Sequence, residues 1–198
     1  PFPIRYTSLT AFNARYRQGR ITATGSLVYT NVTEHVIIGD APADFQRLAP
    51  SFTVSLQPWQ EQLLFLRLMY KSTFRMPTFN DLYYYRLGNR SLRPEKANEY
   101  NMGITWSRSF SSFLNYLSVT VDGYYNDVTD KIVAFPTTYA WKMANYGKVH
   151  VTGMDATLAA AASLGKNTVL VVSGGYTWQK AIDLTDATSK SYKDQLPY

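Results

Sequence analysis

Residues able to do covalent chemistry are few in this chain. There is no cysteine, which removes thiolate nucleophiles, thiolate metal sites and disulfides. The two histidines, His35 in EHVIIGD and His150 in KVHVTG, stand far apart. No His-Glu-x-x-His motif, paired carboxylates or nucleophile–base spacing accompanies them. They read as structural, and no catalytic group, metal or cofactor is expected. What remains is recognition. The stretch FRMPTFNDLYYYRLGN, from Phe74 to Asn89, interleaves five aromatics with a proline, an Asn-Asp pair and a Gly-Asn pair. It is too broken for a strand and too aromatic for an ordinary solvent loop. Phe79, Leu82 and Tyr83–Tyr85 need burial against something, because an exposed apolar patch is seldom idle. Arg75, Pro77, Phe79, Asp81 and Leu82 read as packing residues that fold the loop onto a rim. Tyr84, Tyr85 and Arg86 read as a tip able to touch ligand, and so do Tyr139 and Trp141 in the segment 136–144.

The loop's local grammar supports this. Pro77 fixes φ and stops a hydrogen-bonded ladder. Asn80-Asp81 and Gly88-Asn89 supply turn chemistry. Pro94-Glu95 has the residue order of a short helical turn, with proline at the first helical position.

The elements that must carry such a loop are strands. Aromatics are 15% of the 198 residues, 16 of them tyrosine, while charged residues are 17%, below the usual quarter or so. That balance suits a pleated surface. Net charge is +6, but the Lys and Arg residues are scattered with no basic stripe, so no nucleic-acid partner is expected. No apolar run of roughly 18 or more residues exists, which excludes a transmembrane helix and leaves a membrane β-barrel open. The chain opens on PFPIRY, without a charged-then-apolar leader.

Period two runs through the sequence. Tyr100, Met102, Ile104 and Trp106 oppose Glu99, Asn101, Gly103 and Thr105; Leu117, Val119, Val121 and Tyr125 oppose Ser118, Thr120, Asp122 and Asn126. TVLVVSGGYTWQ and RITATGSLVYT alternate likewise, whereas IRYTSLTAFNARY is less clean. About eight strands are predicted, with cores at 4–17, 20–31, 48–58, 62–73, 97–108, 114–134, 146–162 and 168–181. Short turns fall near Gln18-Gly19, Pro58-Trp59-Gln60, Ser107–Ser112 and Gly165-Lys166-Asn167. Longer loops fall at 32–47, 74–96, 135–145 and 182–195. The fold class is all-β: an antiparallel up-and-down meander with two unlike rims. Alternation alone does not say which face is wet. Three details favour a membrane barrel: strand runs long enough to span a bilayer, a polar face rich in small, amide and charged residues, and unequal loop lengths at the two ends. In that reading Trp106 and Trp178 are interfacial belt residues. Arg67 and Lys71 share the polar side, within reach of Glu99, Asp122 or a plug.

The stretch YKSTFRMPTFNDLYYYRLGNRSLRPEKANEYNMGITW resembles the late-barrel signature of TonB-dependent outer-membrane receptors. Its elements are Arg75-Met76-Pro77, Asp81-Leu82-Tyr83, Gly88-Asn89, Leu92-Arg93-Pro94-Glu95 and Glu99. YYNDVTDKIVAFP and NYGKVHVTGMDATL resemble two further blocks of that family, with Asp155 where glutamate is usual. The style is that of cobalamin and iron-chelate receptors, with a Bacteroidetes flavour. The resemblance covers residues 62–160 and is compatible with the rest.

It implies a fragment of a barrel of about 22 strands closed by an N-terminal plug. Residues 1–198 would then be part of one barrel domain in a Gram-negative outer membrane. The plug, the TonB-contacting segment and the terminal strands are expected outside it. It further implies outer-membrane lipid, TonB, the plug and a small chelate or cofactor as partners, and no enzymatic step. External loops would capture the ligand, and energy delivered through TonB would rearrange the plug. Two alternatives stand beside this reading. One is a soluble β-sandwich or barrel binding carbohydrate through its aromatic loops. The other is a passive porin or adhesin barrel. An arc of strands carries two edges, which predicts wrong closure or edge-to-edge pairing if it is isolated.

Overall fold

The computed structural model describes residues 2–39, 41–59, 63–110, 113–136, 139–165, 167–185, 188 and 192–195. The described residues form eight strands and one short helix. They are β1 (Pro3–Gln18), β2 (Ile21–Val36), β3 (Phe45–Leu56), β4 (Leu63–Arg75), α1 (Phe79–Tyr83), β5 (Glu95–Ser109), β6 (Leu114–Pro136), β7 (Trp141–Ser163) and β8 (Val169–Asp183). All eight strands lie in one sheet in chain order, each antiparallel to the next. β1 and β8 do not pair with each other, so the sheet is open.

Register keeps the two sides of each strand on two continuous faces, as a period of two requires. Tyr16, Ala23, Val54, Leu68, Met102, Gly123, Met154 and Trp178 follow one another across the strands on one face. One residue along, Arg17, Thr22, Ser55, Arg67, Gly103, Asp122, Asp155 and Thr177 form the matching row on the other face. Among the described residues nothing covers the apolar face: Leu68 is 55% exposed and Met102 64%. What is buried sits instead at the loop end. Leu82, Leu92 and Ile132 form one cluster; Val128, Val149 and Ala181 form another.

The strands run further than the alternation indicated. β2 reaches Val36 and β3 starts at Phe45, so the connection expected at 32–47 shrinks to 37–44. β6 and β7 are 23 residues each and pair up to Pro136↔Trp141. Of the loop expected at 135–145, residues 135–136 and 141–145, Trp141 among them, are therefore paired strand at the head of an arm, and 137 and 138 lie outside the described residues. Loop length alone does not separate the two ends; the projecting arm does. β8 likewise extends to Asp183. Of the expected turns, Gln60, Ser111, Ser112 and Lys166 lie outside the described residues, as does part of 182–195. The β1–β2 turn uses Gly19 at φ +54°, where a side chain would be strained.

β3 pairs with β2 along its full length, but with β4 only from Ser51↔Lys71 to Leu56↔Leu66. The ladder stops beside Pro50, which has no N–H to donate.

Candidate functional site

The residues 76–94 form a strap at the loop end. Pro77, buried, ends the β4 ladder. Thr78 then caps α1. Its hydroxyl accepts the Asp81 N–H at 3.1 Å, and the Asp81 carboxylate accepts the Thr78 N–H at 2.9 Å, a reciprocal capping box. The expected helical turn at Pro94-Glu95 does not form; the helix sits at Phe79–Tyr83 instead. Glu95 opens β5 because its carboxylate is engaged across the sheet, by Arg75 at 3.1 Å and by the Ile132 N–H at 3.2 Å. After α1 the chain turns back sharply. The Gly88 N–H donates to Tyr84 O at 2.8 Å, and the Asn89 N–H donates to Asp81 O at 2.8 Å. A Cβ on Gly88 would sit 2.7 Å from the Leu82 carbonyl and the Tyr84 nitrogen, so only glycine fits there.

Both flanks of the strap are anchored. Toward β6 and β7, the Met143 N–H donates to Leu87 O at 2.9 Å and Asn89 Nδ2 donates to Met143 O at 2.9 Å. Asn145 accepts the Arg93 N–H at 2.8 Å and donates to Arg93 O and Asp130 O. The Arg93 guanidinium grips Asp130 Oδ1 through Nε at 3.0 Å and through Nη2. Leu92-Arg93-Pro94-Glu95, Asp130 of YYNDVTDKI and Asn145 of NYGKVH thus meet in one knot. Toward β1 and β2, Arg5 pairs with Glu34 and donates to Pro77 O at 2.6 Å. The Tyr83 hydroxyl donates to Glu34 at 3.3 Å, and the Arg5 guanidinium lies 5.0 Å from the Phe79 ring centre. Glu34 is buried, so this charge depends on its two partners. Burial, followed by the Glu34 charge, raises the Tyr83 phenol above its ordinary pKa. A cavity of ≈ 270 Å³ remains between the strap and the β2–β3 connection, lined in part by Glu34, Phe45, Leu82, Arg90 and Leu92.

Five candidate contact residues face outward at this rim. Tyr84 and Tyr85 are 60% and 79% exposed, Tyr139 97% and Trp141 58%. Arg86 adopts φ +64° and stacks its guanidinium 5.1 Å from the Tyr85 ring centre. The Leu87–Met143 bond brings the strap tip beside the start of β7, two residues from Trp141. Glu99 lies apart, on the polar face between Lys71 and Asn126. There Arg67 reaches over Gly103 to Asp122 at 2.9 Å, and a Cβ on Gly103 would collide with that carboxylate. His35 stacks edge-on with Tyr6, while His150 meets Tyr125 and Asp127. Among the described residues, no group of three or more metal-binding side chains occurs.

Sequence reasoning missed Arg5 and Glu34 as anchors. Their contacts to the strap bridge 72 and 49 positions in the chain, and neither lies in a local motif. Asp130, Asn145 and Arg93 stood inside the quoted blocks, yet spacing alone did not show that they meet.

Known proteins share this architecture. The FrpB iron transporter of Neisseria meningitidis superposes with TM-scores of 0.68 (F3-3 variant) and 0.65 (F5-1 variant, apoprotein form). The identities are 18% and 17%, over 99% of this chain and 28% of each transporter chain. At that identity the likeness concerns the fold. The vitamin B12 transporter BtuB of Vibrio vulnificus is 32% identical over 84 residues, 41% of this chain and 13% of that protein. The chain therefore spans only a minor part of these relatives. A family model described as TonB dependent receptor-like, beta-barrel, matches residues 4–198. With that match running through all eight strands and the rim knot, the chain belongs to the TonB-dependent receptor β-barrel family.

Proposed function

We propose that this chain supplies wall strands and external loops of an outer-membrane active transporter in a Gram-negative bacterium. The apolar face meets lipid. The polar face meets the lumen and the plug of the parent protein, which TonB would act upon. The rim residues Tyr84, Tyr85, Arg86, Tyr139 and Trp141 touch a small chelate or cofactor, of the class that includes cobalamins, siderophores and haem. Residues 1–198 are one part of the barrel domain. No bond in the ligand is made or broken, and no catalytic residue is needed.

The observation that carries this reading is the pairing of one apolar with one polar face on strands matched over residues 4–198 to the TonB-dependent receptor β-barrel family. Leu68, Met102 and Trp178 lie on the first face, and Arg67, Asp122 and Thr177 on the second. Apolar outside and polar inside is the pattern of a membrane barrel. The relatives named above are described as transporters, which favours transport over a passive or adhesive barrel.

The test places single tryptophans. The parent chain is reconstituted in lipid with brominated acyl tails, keeping only Trp106 or only Trp178. Strong quenching at both positions is expected. If neither is quenched and the protein stays dispersed without detergent, the faces point inward and the soluble carbohydrate binder replaces this reading. Titration with cobalamin, ferric chelates and haem then identifies the ligand. Tyr85→Ala and Tyr139→Ala should weaken its binding, and unchanged affinity in both would remove the rim from the ligand site.

A further inference from the structure

Three observations concern the boundary between β3 and β4. First, the ladder between them ends at Ser51↔Lys71, while β3 stays paired to β2 up to Phe45 and β4 stays paired to β5 up to Arg75. Residues 45–50 and 72–75 therefore face each other without a backbone ladder. Pro50 marks the end point, where the ladder would need an N–H that proline lacks. Second, side chains close the gap instead. The Phe45 and Phe74 rings lie 5.0 Å apart, Arg47 donates to the Ser72 hydroxyl at 2.8 Å, and the same guanidinium lies 6.0 Å from the Phe74 ring centre. Ser72 is buried in this contact. Third, the strap bridges the gap. It leaves β4 and enters β5 on one side, where Asp130, Met143 and Asn145 hold it. On the other side it reaches back to β1 and β2 through Arg5, Glu34 and Tyr83.

We propose that the β3–β4 seam above Pro50 is a hinge line in the wall, and that the Arg5–Glu34–Tyr83 clasp is its latch. β1–β3 and β4–β8 are each laddered from strand to strand up to the loop end, with local irregularities only within β6–β7, and behave as two panels. Below Ser51 they are joined by backbone bonds. Above it they are joined by replaceable side-chain contacts and by the strap. Pulling the strap off Glu34 frees the upper seam to spread while the lower seam holds. A displacement at the rim is thereby transmitted into the wall. The contacts at the gap suit this role, since aromatic and guanidinium side chains re-pair more readily than a ladder re-registers.

The experiment is amide hydrogen exchange by mass spectrometry on the full-length parent protein in detergent. Glu34→Ala is expected to speed exchange in peptides covering 45–50 and 72–75 by roughly tenfold or more, and to leave 51–56 unchanged. Tyr83→Phe, which keeps the carboxylate, should give the same pattern at smaller size and serves if Glu34→Ala fails to fold. Pro50→Val restores a donor and should slow exchange in the same two segments. The proposal is overturned if the latch variants loosen only the strap, or if 51–56 speeds up as much as 45–50. Unchanged exchange at 45–50 and 72–75 in Pro50→Val would also overturn it.

Discussion

In the strap, Leu82 and Leu92 are buried and Tyr83 shares a buried carboxylate with Arg5, whereas Tyr139, at the head of the β6–β7 arm, is 97% exposed. The two segments are alike in composition, both aromatic and both at the same rim. Their roles differ because the strap has partners on both flanks and the arm head projects past its neighbours. Aromatic content at a rim therefore does not separate anchored from projecting side chains; position relative to the anchors does. Within the strap itself the same division recurs. Residues before Tyr84 and after Leu87 are tied down, and Tyr84, Tyr85 and Arg86 between them project outward.

The largest break in this contrast is Leu82→Ala. Truncating a buried leucine costs about 2–4 kcal/mol, while Tyr139→Ala should stay within about 0.5 kcal/mol. Thermal unfolding of the parent chain in detergent, with hydrogen exchange across 76–94, compares them; equal effects would erase the distinction. Gly88→Ala comes next, at about 1–3 kcal/mol, because the added methyl must displace strap backbone. The matching change Gly165→Ala, where a Cβ meets open space, should be close to neutral.

Tyr83→Phe removes one hydrogen bond to a charged acceptor and should cost about 1–2 kcal/mol. Its pH signature is distinct. The folded phenol pKa is raised, first by burial and then by Glu34, so the unfolded chain loses its proton first as pH climbs. The contribution is complete below about pH 10 and is lost as pH rises through the higher folded value. Unfolding of wild type and Tyr83→Phe, followed from neutral pH to about pH 11, should therefore converge toward the alkaline end. Divergence there would contradict the Glu34 contact. The smallest effect belongs to Tyr85→Ala, within about 0.5 kcal/mol in stability, with any loss appearing in ligand affinity alone.

Much of the wall was legible as sequence. Alternation such as Tyr100-Met102-Ile104-Trp106 sorts residues onto faces because strand geometry has a period of two. The loop's punctuation was legible too, since Pro77, Thr78, Asp81 and Gly88 act on backbone within a few residues of themselves. The ends of β2, β6 and β7 were not. Past Asn31 in β2, and at 135–136 and 141–145, pairing with the adjacent strand rather than intrinsic pattern keeps the chain extended, as Val32↔Phe45, Ile132↔Asn145 and Pro136↔Trp141 illustrate.

An all-β meander, its two unlike faces and a loop that must fold back on itself are properties of the chain read residue by residue. Each follows from local sterics and from side chains alternating along one strand. No such reading places Arg5 and Glu34 on one flank of the strap and Asp130 and Asn145 on the other. Nor does it say which aromatics are anchors and which project, or that the ladder beside Pro50 is left open on one side. Those outcomes were decided in three dimensions. They depend on register across several strands, where residues distant in the chain become neighbours, and a side chain's burial is set by what the register places against it.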